Sequence, residues 1–242
     1  MIWRIIPFTT NSASINMAID SSIIETVAKR DSPPTLRLYR WKPSAVSIGY
    51  FQSINEEVNL DACKRKGIEV VRRITGGGAV YHDYFGEITY SIIIPENTNN
   101  IPKDIIKSYE IICGGIIYAL NQLGLKAEFK PINDITVNDR KISGNAQTRR
   151  KGVILQHGTI LTNLNIKEMF SVLNISKEKI SDKMIKSVQE RVTSINNELS
   201  EKVNFYNIYR LLIEGFSKKL EFEFEITDLT EKEEKLVTEF NK

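Results

Sequence analysis

The spacing of apolar residues predicts that the chain opens with a strand followed by a helix. Residues 2 to 8 form an apolar run of the length usual for a strand. From Ser12 to Arg30 apolar side chains recur every three or four residues, as on one face of a helix, and Ser12 or Ser14 can cap its first turn. Thr35–Trp41 and Ala45–Gly49 then alternate as strands do, and we predict that these two strands pair with each other.

Strands and helices continue to alternate along the rest of the chain. No repeat, linker or break in composition interrupts them, so we predict one mixed α+β domain over residues 1–242. In the middle of the chain we predict a helix at Leu60–Lys66 ended by Gly67, strands at Ile68–Val71 and Glu87–Ile94, and a helix from Ile105 to Gly124 with one buried face. A β meander over residues 132 to 161 follows, with a turn at Asn138 and Asp139. From Asn165 onward we predict mostly helix, with a strand at Glu221–Thr227 and a final helix capped by Thr230 and Glu233.

Composition narrows the classes of protein to consider. A chain of 242 residues with 41% hydrophobic residues can bury a continuous core. The 33 basic and 30 acidic residues are dispersed, so nothing indicates nucleic-acid binding, and no apolar stretch reaches the roughly 18 residues that a membrane span needs. Cys63 and Cys113 stand alone, which disfavours a metal cluster or a disulfide, and without an export signal we expect a cytoplasmic location.

The run of Gly76, Gly77 and Gly78 is the first candidate for chemistry. Three consecutive glycines permit either a sharp bend in a sheet or a close approach of the backbone to a ligand. Arg72 and Arg73 precede the run, so guanidinium groups can lie beside exposed backbone N–H donors, a combination that suits a phosphate or a carboxylate. No Walker lysine follows and no glycine fingerprint opens a helix, which disfavours the common nucleotide-binding loops.

A second polar constellation covers residues 133 to 158. Asp134 has two open interpretations, a carboxylate ligand for Mg²⁺ or a residue that caps a turn. Lys141 differs from the other lysines because it lies in a short strand close to a glycine. His82 and His157 are the only histidines in the chain, and for both a structural hydrogen bond and a ligand contact remain open. Without a third ligand nearby, a zinc site is disfavoured.

Two ordered blocks of sequence resemble the signature blocks of the lipoate-protein ligase A family. The first is RRITGGGAVYHD, from Arg72 to Asp83, and the second contains NDI at Asn133 and RKISGNAQ from Arg140. Shorter matches include Trp41 with residues 46–52, Leu155 to Thr159, and Ser187 to Val192. The resemblance implies a fold shared with biotin ligases and octanoyltransferases, namely α+β with a central, mostly antiparallel β-sheet flanked by helices.

The resemblance also implies a reaction. Lipoate, or a related fatty acid, would be activated with ATP and Mg²⁺ to lipoyl-AMP. The acyl group would then pass to a lysine of an apo carrier protein, either the lipoyl domain of a 2-oxoacid dehydrogenase E2 or the glycine cleavage H protein. In this family the arginine–glycine loop wraps the adenylate, and the lysine of the second block contacts the acyl carbonyl and the phosphate. We therefore expect Lys141 to act as an electrostatic clamp.

The candidate site residues fall into four groups, of which the resemblance carries over by position Lys141 and the arginine–glycine loop. Lys141 is the expected catalytic residue, and Asp134 is the expected Mg²⁺ ligand. The expected ATP and lipoyl-AMP contacts are Arg73, Gly76, Gly77, Gly78, Ala79, Val80, Tyr81 and Lys141. The expected supporting or acyl-pocket residues are Arg72, His82, Asn133, Gly144, Ala146 and His157.

Three other functions compete with this interpretation. An octanoyltransferase of this fold uses a cysteine thioester instead of ATP, but close relatives of that kind have an arginine in the glycine run and a cysteine near Asn133, and neither is present. A biotin ligase is disfavoured because its GRGRxGR-type loop is absent. A noncatalytic carrier-binding subunit is disfavoured because Arg73, the three glycines and Lys141 are all present.

The C-terminus departs from the pattern of many single-chain ligases. Those ligases continue into a small accessory domain needed for efficient activation, whereas this chain ends soon after its last predicted helix. We therefore expect a separate small protein to supply that part, as in the bipartite members of the family. The chain alone would then transfer from preformed lipoyl-AMP but form little adenylate.

Overall fold

A computed structural model describes residues 2–174, 182–199 and 201–241, and these residues form two β-sheets with helices packed around them. The helices are α1 (Ala13–Ala28), α2 (Ile54–Glu57), α3 (Leu60–Lys66), α4 (Ile105–Gln122), α5 (Ile166–Val172), α6 (Asp182–Gln189), α7 (Ile195–Glu198), α8 (Phe205–Leu220) and α9 (Glu231–Phe240). The strands are β1 (Ile2–Asn11), β2 (Thr35–Trp41), β3 (Ala45–Ile48), β4 (Glu69–Arg72), β5 (Val80–His82), β6 (Glu87–Pro95), β7 (Ala127–Lys130), β8 (Asp134–Val137), β9 (Arg140–Arg150), β10 (Val153–Leu161) and β11 (Glu223–Ile226).

The larger sheet has eight strands in the order β11-β1-β2-β6-β10-β9-β8-β7. Neighbouring strands run antiparallel from β2 to β7, and only β11, β1 and β2 run parallel to one another. The predicted α+β fold with a central, mostly antiparallel sheet is therefore confirmed.

Helices cover both faces of the larger sheet. On one face, α4 and α8 bury Ile112, Ile116 and Phe216 in the main core. On the other face, α1 contributes Ile19 and Ile23 to a second apolar cluster. The apolar residues of α4 recur at helical spacing, so one of its faces is buried as predicted. None of the described helices is long and apolar enough to cross a membrane.

The smaller sheet contains the strands on either side of the glycine run. β3 is its central strand, parallel to β4 and antiparallel to β5. The glycine run connects β4 to β5 past the end of β3, between strands as the sequence predicts.

Local signals for caps and turns are confirmed. Ser12 caps α1 by accepting a hydrogen bond from the backbone N–H of Ile15, and Gly67 ends α3 in the left-handed conformation. Thr230 and Glu233 form both hydrogen bonds of a capping box at α9. The helical character predicted from Asn165 onward is confirmed where the chain is described, while residues 175–181, 200 and 242 of that prediction lie outside the described residues.

The predicted pairing of Thr35–Trp41 with Ala45–Gly49 is wrong. β2 lies between β1 and β6 in the larger sheet, so both of its edges are already occupied. β3 pairs with β4 and β5 instead, and residues 42–44 lead from one sheet to the other. Alternation identifies each strand, but pairing depends on which distant strands compete for its edges.

Candidate active site

A cavity of about 350 Å³ brings the two predicted constellations together. Its wall includes residues from the glycine run, from β9 and from β10. The predicted site residues that line it are Arg73, Gly77, Gly78, Ala79, Val80, Tyr81, His82, Asn133, Lys141, Gly144, Ala146 and His157. Gly76, Arg72 and Asp134 lie outside this lining.

Arg73 is buried and is held by the backbone of the loop that it precedes. Its guanidinium donates to the carbonyl oxygens of Ser47, Gly76 and Gly78 at 2.7 to 3.3 Å, and to the Ser47 hydroxyl at 3.1 Å. Burial lowers the pKa of Arg73 to about 10. Within the described residues no carboxylate forms an ion pair with it, so a positive charge lies at the cavity wall with only dipoles around it.

The glycine run approaches the end of β3 more closely than any side chain would permit. A Cβ atom at Gly49 would lie 2.0 Å from the carbonyl oxygen of Gly77, and Gly77 has a φ of +96°. Arg72 points away from the cavity and donates to the carbonyl oxygens of Gly49, Tyr50 and Gln52. Arg72 therefore fixes the chain after β3 rather than contacting a ligand in the cavity.

His82 supports Arg73 through a chain of hydrogen bonds. The carboxylate of Glu87 lies 2.6 Å from Nδ1 of His82, and the Ser47 hydroxyl lies 2.8 Å from Nε2. A carboxylate only accepts, so Nδ1 donates to it; in the neutral ring Nε2 then accepts from the Ser47 hydroxyl, whose oxygen in turn accepts from Arg73. The ring also stacks on Trp41, with 4.1 Å between the centroids. Both ring nitrogens thus have protein partners.

His157 is also held by hydrogen bonds through both ring nitrogens. Its Nε2 lies 2.7 Å from the hydroxyl of Thr75, at the base of the glycine run, and its Nδ1 lies 3.4 Å from Asp20. Burial lowers the pKa of His157, which favours the neutral ring. Burial alone would raise the pKa of Asp20, but the adjacent Arg37 guanidinium together with the hydrogen bonds of His157 and Ser91 holds this pKa below its usual value. Of the two roles left open by the sequence, structural hydrogen bonding fits both histidines.

Lys141 is the more accessible cation of the site. Its Nζ lies 2.7 Å from Oδ1 of Asp134, and the two side chains are 40% and 32% exposed. A Cβ atom at Gly144 would lie 2.8 Å from Nζ, so the lysine side chain crosses the space that this glycine leaves open. Asp134 acts here as the counterion of Lys141.

The Mg²⁺ role of Asp134 stays a prediction, because a single carboxylate holds Mg²⁺ only together with phosphate oxygens and water. The Asp134 carboxylate is engaged by the ammonium group of Lys141. In the part of the chain that the structure describes, no group of three or more histidine, cysteine, aspartate or glutamate side chains is arranged to hold a metal ion. The described side chains alone therefore do not form a Mg²⁺ site at Asp134.

Asn133 and Asn145 lock the start of β8 to β9. The side-chain amide of Asn133 donates to the carbonyl oxygen of Asn145, and the amide of Asn145 donates back to the carbonyl oxygen of Asn133 at 2.8 Å. The carbonyl of the Asn145 side chain accepts from the hydroxyl of Tyr90 at 2.7 Å, which itself accepts from Gln156 at 2.8 Å. This buried chain of polar groups connects the sheet core to the cavity wall beside Lys141.

Comparison with known proteins identifies the family of the chain. The family described as the lipoyl protein ligase A/B catalytic domain matches residues 12–217. The chain belongs to this family. The family includes lipoate ligases and octanoyltransferases, so the chain is an enzyme of that group.

Individual members of the family include both kinds of enzyme. The octanoyltransferase LipM of Clostridioides difficile is 34% identical, and the match covers 98% of this chain and 94% of that protein. A bipartite lipoate protein ligase from Thermoplasma acidophilum, studied with its E2 lipoyl domain, has a TM-score of 0.87 and 34% identity over 100% of this chain and 92% of that one. A lipoate-protein ligase A bound with ATP has a TM-score of 0.83 and 32% identity, over 100% and 94% of the two chains.

The two cysteines matter because the family contains both ligases and transferases. Cys63 lies on α3 and Cys113 on α4, both buried, and neither lines the cavity. Burial raises the pKa of Cys63, and it raises the pKa of Cys113 to about 12, so both thiols stay protonated near neutral pH. Neither cysteine is in a position to attack a substrate held in this cavity.

Several residues of the site were not nominated from the sequence. Ser47 joins His82 to Arg73, Asn145 joins Asn133 to Tyr90, and Glu87 orients His82. Ser47 and Asn145 lie inside the matched blocks, and the polarity of Ser47 in the otherwise apolar strand β3 was an available signal. Glu87 is the charged first residue of the buried strand β6. Its hydrogen bond to His82, which the sequence does not reveal, explains why a charge is tolerated there.

Proposed function

We propose that this chain is an ATP-dependent ligase that activates lipoate, or the related octanoate, and transfers the acyl group to a lysine of a carrier protein. The observation that carries the proposal is the content of the cavity, which offers two cations, Arg73 and Lys141, but no thiol. Cations suit an acyl-adenylate, which bears a phosphate. A thioester intermediate requires a cysteine that a substrate can reach.

In the activation step two anions must approach each other. A carboxylate oxygen of the acid attacks the α-phosphorus of ATP, a C–O–P linkage forms and pyrophosphate leaves. Lys141 exchanges its exposed partner Asp134 for the phosphate and acyl oxygens, and so stabilises the charge that develops in the transition state. Arg73 adds a fixed positive potential from the loop wall, which acts strongly because the site has a low dielectric.

In the transfer step the adenylate is the acyl donor. The uncharged amine of the carrier lysine attacks the acyl carbonyl carbon, an amide bond forms, AMP leaves with the bonding electron pair, and the amine releases a proton to solvent. Lys141 stabilises the negative charge that forms on the carbonyl oxygen. The glycine run forms one wall of the cavity and limits the access of water to the adenylate.

The remaining wall suits an apolar tail. Apolar side chains from four parts of the chain line the cavity, among them Met17, Trp41, Leu161, Leu164 and Met169. Lipoyl and octanoyl chains both present hydrocarbon to such a wall, so the proposal includes both acids as substrates.

Octanoyl transfer without ATP is the second candidate, and the name of the Clostridioides difficile relative favours it. A cysteine-free variant, Cys63→Ala with Cys113→Ala, separates the two. The ligase is expected to keep its rate of carrier acylation from preformed lipoyl-AMP, because neither thiol takes part. Thermal unfolding checks that the variant is folded. An acyl group found on either cysteine by intact mass, together with loss of transfer in the folded variant, would favour the transferase.

A further inference from the structure

Lys141 lies at an irregular point of the larger sheet. β8 and β9 pair Ile135 with Ser143 and then Thr136 with Lys141, so Ile142 is an extra residue that bulges from β9. Bulges interrupt the ladder and change the direction of neighbouring side chains. β10 pairs with β9 only as far as Ser143, so it does not reach Lys141.

A segment from a different part of the chain holds the backbone of Lys141. The Lys141 N–H donates to the carbonyl oxygen of Arg191 at 2.8 Å, and the Lys141 carbonyl accepts from the N–H of Thr193 at 2.8 Å. Lys141 and Val192 thus form a parallel bridge, and Val192 lines the cavity together with Lys141. This segment overlaps the short sequence match at Ser187 to Val192, for which the reaction steps above give no role.

Glu198 fixes that segment to the strand. Its carboxylate is 5% exposed and accepts from the Thr193 hydroxyl at 2.5 Å, from Nη2 of Arg140 at 2.7 Å and from the side-chain amide of Asn138 at 2.9 Å. Thr193 follows the bridge to Lys141, Arg140 directly precedes Lys141, and Asn138 lies in the turn between β8 and β9. One buried carboxylate therefore connects both sides of the contact with Lys141.

Building on the proposed function, we propose that Glu198 is a positioning residue, which fixes the backbone of Lys141 through Thr193 and Arg140. Lysine has a long, flexible side chain, so the position of its ammonium group depends on how firmly its backbone is held. An electrostatic clamp is effective only when it is preorganised against the charge that it stabilises. Glu198 supplies that preorganisation without touching the ligand.

A double-mutant cycle tests whether Glu198 acts through Lys141. Glu198→Gln keeps the size of the side chain but places an amide N–H donor next to the donors of Thr193, Arg140 and Asn138. The variant therefore disrupts the hydrogen bonds that anchor the backbone of Lys141. Affinity for a non-hydrolysable lipoyl sulfamoyl-adenosine is measured by calorimetry in four proteins, with and without Lys141→Ala. We expect Glu198→Gln to weaken binding about tenfold when Lys141 is present and less than about twofold when it is absent, because coupled residues are not additive. Equal weakening in both backgrounds would overturn the proposal.

Glu214 offers a matched control on the outer surface of α8. Its carboxylate also accepts several hydrogen bonds, from Tyr118 and Lys218 at 2.8 Å, but it does not line the cavity. Glu214→Gln is expected to leave the affinity for the analogue unchanged. Thr193→Val is a milder second variant that removes only one donor to Glu198, and it should weaken binding in the same direction as Glu198→Gln.

Amide hydrogen exchange tests the anchor without any ligand. In Glu198→Gln the amides of Lys141 and Thr193 should exchange faster, while those of α4 keep their protection, which also checks that the variant is folded. Unchanged protection at Lys141 would overturn the proposal. If the wild-type chain failed to bind the analogue but the exchange changed as expected, the proposed function would be contradicted and the anchor of Lys141 supported.

Discussion

The two cations of the cavity are held in opposite ways. Arg73 is 6% exposed and its donors are taken up by backbone carbonyls and Ser47, whereas the side chain of Lys141 is 40% exposed and has one carboxylate partner. Removing Arg73 leaves buried acceptors without partners, while removing Lys141 opens the half-buried carboxylate of Asp134 to water. Arg73 therefore maintains the shape and potential of the loop, and Lys141 is the group that can change partners during a reaction.

Lys141→Ala should have the largest effect on activity and almost none on stability. We expect transfer from preformed lipoyl-AMP to fall about a hundredfold or more, because the transition state loses its clamp. The melting temperature should hardly change, since an exposed ion pair contributes roughly 0–1 kcal/mol. AMP release and carrier acylation measure the first effect and calorimetry the second. Lys151→Ala removes a comparably exposed lysine that does not line the cavity, and it is the control. A near-normal rate for Lys141→Ala would refute the clamp.

Arg73→Lys should lower activity and stability together. A lysine keeps the charge but cannot reach the carbonyl oxygens of Ser47, Gly76 and Gly78 at once. We expect a loss of about 2 kcal/mol in the free energy of unfolding and a roughly tenfold loss of activity. Denaturant titration gives the stability, and Arg210→Lys on the exposed surface of α8 is the control. Loss of activity with unchanged stability would mean that Arg73 acts mainly on the ligand.

Gly144→Ala should affect Lys141 without affecting Arg73. The added methyl group would lie 2.8 Å from Nζ of Lys141, and the flexible end of that side chain can move aside. We expect a several-fold lower rate with less than about 1 kcal/mol change in stability, since only the clamp is displaced. In Gly114→Ala the new methyl group meets its neighbour at an ordinary 3.6 Å, so this variant should behave as wild type. Wild-type rates in Gly144→Ala would show that the position of Nζ is not critical.

The smallest effect is expected from His157, at the base of the loop that Arg73 supports. Burial lowers its pKa, so below its ordinary value of 6.5 the unfolded chain binds a proton more readily than the folded one. The His157 contribution to stability should therefore be present above pH 6.5 and be lost as the pH falls through that value. Stability measured from pH 8 to 5 should fall less steeply in His157→Gln. An equally steep fall in this variant would assign the effect to other groups.

The sequence predicts those features of the fold that depend on neighbouring residues. Ser12, Gly67 and the pair Thr230 and Glu233 specify helix ends through contacts within a few positions, and all are confirmed. The division of β2 and β3 between two sheets was not predicted, because it depends on β1, β6, β4 and β5 competing for their edges.

In the candidate site, too, the sequence predicts the local features but not the contacts between distant residues. The glycine run, Arg73 and Lys141 are recognised by residue type and spacing, and they do line one cavity. The pairing of Asp134 with Lys141 was not predicted, because this contact arises only when β8 and β9 come together. The support that Glu198 gives to Lys141 spans 57 positions of sequence, counted from 141 to 198, and no local pattern indicates it.

The most direct test of the central claim compares two acyl donors. The purified chain and an apo lipoyl domain are incubated either with preformed lipoyl-AMP or with an octanoyl carrier thioester in the absence of ATP, and the mass of the lipoyl domain is measured over time. Acylation from lipoyl-AMP, reduced about a hundredfold or more by Lys141→Ala, with none from the octanoyl thioester, is the expected result. Transfer from the octanoyl thioester, with no use of lipoyl-AMP, would contradict it.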